Sequence, residues 1–275
     1  MAEFDLWAEY YDVIHNGLPG EAEFYVGQAV RIGGETLELG CGTGRIAIPM
    51  AMSGVRVTGL DNSKAMLDVC REKANEVGSV PGSLHLVQAD MRDFALDREY
   101  DFVAMAYRTF MHLMSQDEQR RCLVNVRRHL AADGVFILNL WAPRPSSVAL
   151  LAGNGSGGLR FAGEHPLRND DLRLVHYCGS RVNEYLQELS EEHVLHVVDA
   201  QGKVRRSQVL SLVRTWLTVR EMDNLVRLSG FEIRALFGDF DCGPFTQHST
   251  EMIWVLGKPS NPTDVGQPAW LSREC

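Results

Sequence analysis

Two rhythms of apolar and polar positions alternate along this chain. Short apolar runs at residues 36–39, 55–60, 84–89, 100–106 and 134–140 read as buried strands. Between them, residues 46–52, 63–76 and 115–129 carry apolar side chains at three- and four-residue spacings, the signature of helices. Ser63 is placed to cap the second of these, and Ser115-x-x-Glu118 forms a capping box for the third. Strands alternating with helices in this way specify a parallel sheet covered on both faces, joined by right-handed crossovers.

The ends of the chain follow other patterns. Residues 3–15 space aromatics and aliphatics as an amphipathic helix, which Gly17 and Pro19-Gly20 terminate, and a second helix spans 21–31. Composition changes at Pro143-Arg144-Pro145, and a glycine-rich stretch follows at 153–158. Residues 159–217 then lose helical period and gain β-branched alternation, with 193–198 and 209–213 as strands and 199–202 as a hairpin turn. Thr218-x-x-Glu221 is a further capping box, opening a helix that ends at Ser229-Gly230. A sixth strand (231–237) and a seventh (252–256), antiparallel to the rest, close the pattern. The chain therefore divides into N-terminal helices closing over a site (1–34), a core (35–145), an antiparallel β insertion or lid (146–217), the last core helix and strands (218–258), and a tail (259–275).

The first strand breaks into Gly40-Cys41-Gly42-Thr43-Gly44-Arg45, three glycines at alternate positions leading into a helix. Glycines admit positive φ and let a ligand lie against bare backbone, while the helix start offers free N–H groups. A dinucleotide cradle would read G-x-G-x-x-G/A, and Arg45 stands where its last small residue belongs, in the way of close helix–strand packing. The second strand ends on Asp61, about twenty residues past the first glycine, where a carboxylate grips ribose hydroxyls. The third also ends on an acid, in Asp90-Met91-Arg92-Asp93-Phe94.

Composition narrows the partners. At 275 residues, 45% hydrophobic and 23% charged, the chain is an ordinary globular one with a sizeable core. Its net charge of −9 argues against nucleic acid or an anionic membrane. Six scattered cysteines without a C-x-x-C pair suit reduced thiols, and the first residues lack the basic and apolar regions of a signal peptide, so a cytoplasmic protein is expected. No apolar run has the length of a membrane span.

In order, L-E-L-G-C-G-T-G, Asp61, A-D-M-R-D-F, Y-D-F-V-A-M and D-G-V-F-I-L resemble class I S-adenosylmethionine (SAM)-dependent methyltransferases from about residue 5 to 258. The early Y-D-x-x-H stretch, the D-M-R-D-F motif and the insertion before the last helix are most similar to small-molecule members, including amino-sugar N,N-dimethyltransferases. The resemblance implies an α/β, Rossmann-like sheet of seven strands in order 3-2-1-4-5-7-6, mostly parallel with strand 7 antiparallel. SAM is then the cofactor, lying across the strand carboxyl ends. It further implies that Gly40, Gly42 and Gly44 approach the methionine moiety and that Glu38 anchors its amino group. Asp61 takes the ribose hydroxyls, Asn62 or Ser63 borders the adenine, Asp90 accepts from the adenine amino group, and Met91 covers the ring. Tyr11 matches a first-helix tyrosine that closes over SAM.

For chemistry beyond the cofactor, His112 is the candidate base, in the loop after strand four and titrating near neutrality. Tyr107, Arg108 and Trp141 are candidate substrate contacts, with Asn139, Asp239, Asp241 and Phe245 as further strand-end residues. Arg108 has a second reading as an ion pair with a nearby acid such as Asp101. His193 and His196 fall on opposite faces of a strand, a poor metal pair, and no metal site is expected. The insertion either roofs the acceptor pocket or pairs two subunits as a homodimer. The reading is methyl transfer to nitrogen or oxygen of a small molecule by in-line displacement. C-methylation, a non-catalytic SAM-binding module and a nucleotide-dependent oxidoreductase are the alternatives.

Overall fold

A computed structural model describes residues 2–144, 147–148, 158–167 and 171–259. Seven strands build its principal sheet: β1 (Glu35–Leu39), β2 (Arg56–Asp61), β3 (Ser83–Gln88), β4 (Tyr100–Met105), β5 (Leu130–Trp141), β10 (Glu232–Phe237) and β11 (Glu251–Gly257). Their spatial order is β3-β2-β1-β4-β5-β11-β10, the order the sequence resemblance implies. β1 pairs in parallel with both β2 and β4, whereas β11 runs antiparallel to β5 and β10. Central strands are buried on both faces, which is why Leu37, Leu39, Phe102 and Val103 form near-continuous apolar runs.

The connecting helices are α2 (Glu21–Ile32), α3 (Ala47–Met52), α4 (Lys64–Val77), α5 (Gln116–His129) and α6 (Val219–Leu228), counting a one-turn α1 (Tyr11–Ile14) first. Their starts are fixed by the side chains the sequence offers. Ser63 accepts from Met66 N–H at 3.2 Å, and the capping boxes of Ser115–Glu118 and Thr218–Glu221 both close. Two apolar layers result, one on each face of the sheet.

The insertion is a second, antiparallel sheet of four strands: β6 (Arg160–Pro166), β7 (Leu172–Asn183), β8 (Glu188–Asp199) and β9 (Val204–Thr215), in chain order. The β8–β9 hairpin stands where the sequence places it, while β6 and β7 were not separately legible. Most of the glycine-rich stretch and all but Pro259 of the tail lie outside the described residues. The N-terminal segment departs from expectation. Instead of one helix over 3–15 it is a 3-10 turn, Glu3–Leu6, followed by the short α1. Its apolar residues are drawn off the helical stripe to serve a third core, in which Trp7 and Tyr10 pack on Leu174, Leu195, Leu210 and Leu212 of the insertion. Each such side chain contributes about 1.5–3 kcal/mol on full burial, so tertiary packing overrides the isolated helix.

Candidate active site

A cavity of about 290 Å³ opens at the carboxyl ends of β1, β2, β3 and β4, roofed by the N-terminal segment and by β9. Its floor is the glycine turn. Gly40 sits at φ +69°, and a Cβ there would lie 2.4 Å from Thr109 Cγ2, so no other residue fits. Gly42 and Asp61 are tied together: the Gly42 N–H donates to Asp61 Oδ2 at 2.9 Å, and the Ser63 N–H donates to Oδ1 at 2.8 Å. Asp61 is buried, which raises its pKa, and it faces the cavity beside Asn62. Asp90 and Met91 line the same wall. Both Asp90 oxygens hold Arg92, in an ion pair that draws the Asp90 pKa down.

Glu38 lies beneath the turn at 2% exposure, its Oε2 without a hydrogen-bond partner. Burial pushes its pKa up to about 8, against the pull of Arg45. Such an orphaned carboxylate oxygen, in a small recess shared with Tyr11, Gly40, Gly42 and Tyr107, suits a ligand ammonium. Two expected contacts are displaced. Gly44 (φ +82°) turns away, and a Cβ there would lie 2.5 Å from Cys70 Sγ, so this glycine serves helix packing. The Ser63 hydroxyl caps α4 and donates to Asp5 Oδ1 at 2.7 Å, which leaves Asn62 on that wall.

The same cavity is lined by His15, His112, Tyr107, Phe4, Leu212 and Arg214. His112 stands edge-on to Phe4, ring centroids 5.1 Å apart, and its buried Nδ1 has no partner. His15 packs 4.8 Å from Tyr11, and its buried Nε2 is equally unpartnered. Burial, with Arg214 and the neighbouring histidines adding to it, depresses His15 to about 4 and His112 to about 3. Both rings are therefore neutral at physiological pH. Among the residues the sequence reading gave no role, His15, Arg214, Phe4 and Leu212 stand out. Only His15 carried a signal, one helical turn after Tyr11.

Tyr107 and Arg108 hold the left-handed region at φ +53° and +61°. Two glutamates clamp them there. Glu21 accepts from the Tyr107 N–H at 2.6 Å and pairs with Arg45 at 2.7 Å, whose guanidinium lies 4.7 Å over the Tyr107 ring. Glu251 takes Arg108 bidentately, Nε to Oε1 at 3.0 Å. Arg108 borders the cavity with its charge already matched, by Glu251 rather than Asp101. Trp141 is not in the cavity lining; it packs edge-on to Trp216, centroids 6.0 Å apart. Asn139 is equally interior, donating to Glu251 and accepting from Tyr25. Asp239 accepts from the Asp241 and Gly243 N–H groups, a self-contained loop outside the cavity lining, as is Phe245.

Comparison with known proteins agrees with this geometry. A methyltransferase domain model matches residues 36–134, the strands and turn that build the floor. The cypemycin N-terminal methyltransferase of a Streptomyces species is 28% identical over 251 residues, 90% of this chain and 94% of that one. The chain is a SAM-dependent methyltransferase. The solved structure of the CcbJ methyltransferase from Streptomyces caelestis superposes on this methyltransferase with a TM-score of 0.71. It is 26% identical and covers 89% of this chain and 98% of its own. The dTDP-4-amino-2,3,4,6-tetradeoxy-D-glucose N,N-dimethyltransferase of Saccharopolyspora spinosa is 28% identical over 49% of this chain and 54% of its own length. The residues of the floor fit SAM: an orphaned carboxylate beneath the turn, a glycine at positive φ and a buried aspartate at the next strand tip lie side by side.

Proposed function

We propose that the acceptor atom is an amine nitrogen. The observation that carries this is the pair of buried, unpartnered imidazole nitrogens, His15 Nε2 and His112 Nδ1, on residues that line the cavity. Groups depressed to about 4 and about 3 are poor proton acceptors. A hydroxyl, with its far higher pKa, must give up a proton during attack, and neither imidazole is basic enough to take it. An amine attacks as the free base and needs none, only orientation. His15 and His112 supply that orientation by hydrogen bonding to the neutral amine. The burial that neutralises the histidines also disfavours the ammonium form.

Bound SAM supplies the methyl group on a sulfonium, an already activated leaving group. This chain's residues align and exclude water. Alignment of reacting atoms at ~3–3.5 Å removes roughly 7–11 kcal/mol of barrier. On this reading Glu38 pairs with the cofactor's amino group, Asp61 with its ribose, and Asn62, Asp90 and Met91 enclose the adenine, while Tyr11 and Phe4 close the cleft between cofactor and acceptor. His112 is then a positioning group in place of the general base its loop suggested. The names of relatives that methylate a peptide N-terminus and an amino sugar point the same way.

The test is an acceptor panel of paired amines and isosteric alcohols, with the pH dependence of kcat/KM. Amines are expected to turn over and alcohols not, the acid limb following the amine's own pKa. His112→Gln, which keeps a neutral hydrogen-bonding side chain, is expected to hold kcat within about tenfold. An acid limb near the ordinary histidine pKa that His112→Gln removes would overturn the neutral role.

A further inference from the structure

Spacing along the chain offered no metal site, because its members are separated in sequence and meet through strand pairing. Cys178 of β7 stands directly opposite His193 of β8 in the antiparallel register, and His176 lies two residues before Cys178 on the same face. That face is the inner one, where Leu174, Leu195, Leu210 and Leu212 form the insertion's core. Two imidazoles and a thiol interrupt this apolar surface. His176 and His193 are only 6% and 5% exposed. Their rings lie within 16° of parallel and meet edge to edge, His176 Nε2 2.9 Å from His193 Nδ1. Cys178 Sγ lies 3.9 Å from His193 Nε2. One ligand atom from each residue falls within 4.8 Å of the other two.

We propose that His176, Cys178 and His193 form a binding site for a borderline-soft divalent ion, Zn²⁺ by preference, with the fourth position open. The donor set decides the class of ion. Imidazole with thiolate favours zinc, whereas Mg²⁺ and Ca²⁺ demand oxygen. Bond lengths of ~2.0–2.3 Å put tetrahedral ligand atoms some 3–4 Å apart, so side-chain rotations alone close this cluster around an ion. His193 and His176 bind through a neutral imidazole nitrogen, the ligating form of histidine. Cys178 binds as the thiolate and surrenders its proton, so binding releases a proton. Glu191, two residues from His193 and on the same face, adds negative charge, and Arg214 balances it in an ion pair.

The position gives the site a consequence. Trp7 rests edge-on against His193, ring centroids 4.8 Å apart, and touches His15 at 5.5 Å. An ion joining β7 to β8 would therefore stiffen the surface on which the N-terminal closing segment lies.

Co²⁺ is the probe, added to chelator-treated full-length protein. One equivalent is expected to give the visible absorption of a tetrahedral site together with a thiolate-to-cobalt charge-transfer band. Cys178→Ser should abolish that band and weaken affinity by at least the ~10–100-fold that loss of even an outer-shell partner costs. His193→Gln should do likewise, with circular dichroism and SAM binding confirming that each variant is folded. Stoichiometric Zn²⁺ should raise the Tm of the unaltered protein and leave that of Cys178→Ser unchanged. Absence of a one-to-one signal, or a charge-transfer band that survives in Cys178→Ser, overturns the assignment.

Discussion

The two ends of the cavity are built in opposite ways. The cofactor end is assembled from a continuous stretch of core: the glycine turn, Asp61 and Asp90 sit on adjacent strand tips and are braced by backbone N–H groups. Its groups are acids. The acceptor end is contributed by three segments far apart in the chain, residues 3–15, 107–113 and 212–214. Its groups are buried imidazoles and an arginine paired with Glu191. On the proposed reading the first group holds SAM and the second holds the acceptor. The contrast separates what is common to the chemistry from what is particular to the acceptor.

The largest expected effect strikes the cofactor end alone. Asp61→Ala removes a buried carboxylate and frees the Gly42 and Ser63 N–H groups, and should weaken SAM binding more than tenfold by calorimetry, in line with about 1.5–3 kcal/mol for a charged hydrogen bond. Unchanged affinity would erase the ribose role. Glu38→Gln comes next. With a pKa near 8, Glu38 is largely protonated at pH 7 and ionises when it meets the cofactor's ammonium. SAM binding at pH 7 should therefore release about one proton, measured by calorimetry in buffers of differing ionisation enthalpy, and the variant should release none.

Smaller effects belong to the acceptor end. Arg214→Met should leave SAM affinity intact, raise the pKa values of His15 and His112 seen by NMR, and increase acceptor KM several-fold. A matched loss of SAM affinity would dissolve the division between the two ends. The smallest effect is on stability. His15 and His112 stay neutral in the fold to about 4 and about 3, whereas their unfolded forms protonate near 6.5. The unfolded state therefore binds more protons below pH 6.5, and Tm should fall as pH drops from there toward 4. His112→Gln should flatten that decline.

How much of this was legible in sequence follows from the same division. The cofactor end was readable because its residues lie at strand tips whose order follows from alternating strands and helices. Even there, the G-x-G-x-G triplet gave all three glycines to the ligand, although Gly44 answers to Cys70 and Ile48 behind it. At the acceptor end, position in a strand-end loop said that Tyr107, Arg108 and His112 were near the site but not what else would reach them. Arg108 is claimed by Glu251, and Trp141 by Trp216, partners that only the antiparallel β11 and the end of the insertion bring close. Arg214 was invisible for that reason: its approach depends on how the second sheet folds over the first.

The pair of left-handed residues at Tyr107 and Arg108 has a bearing on how this enzyme changes its tastes. Non-glycine backbone in that region costs about 1–3 kcal/mol per residue, and the anchoring glutamates Glu21 and Glu251 come from separate elements, α2 and β11. A ledge pinned from two sides is an unyielding template to which a guest must conform. New acceptor scope should accordingly arise by substitution at Phe4, Leu212 and Arg214, leaving the ledge as it stands.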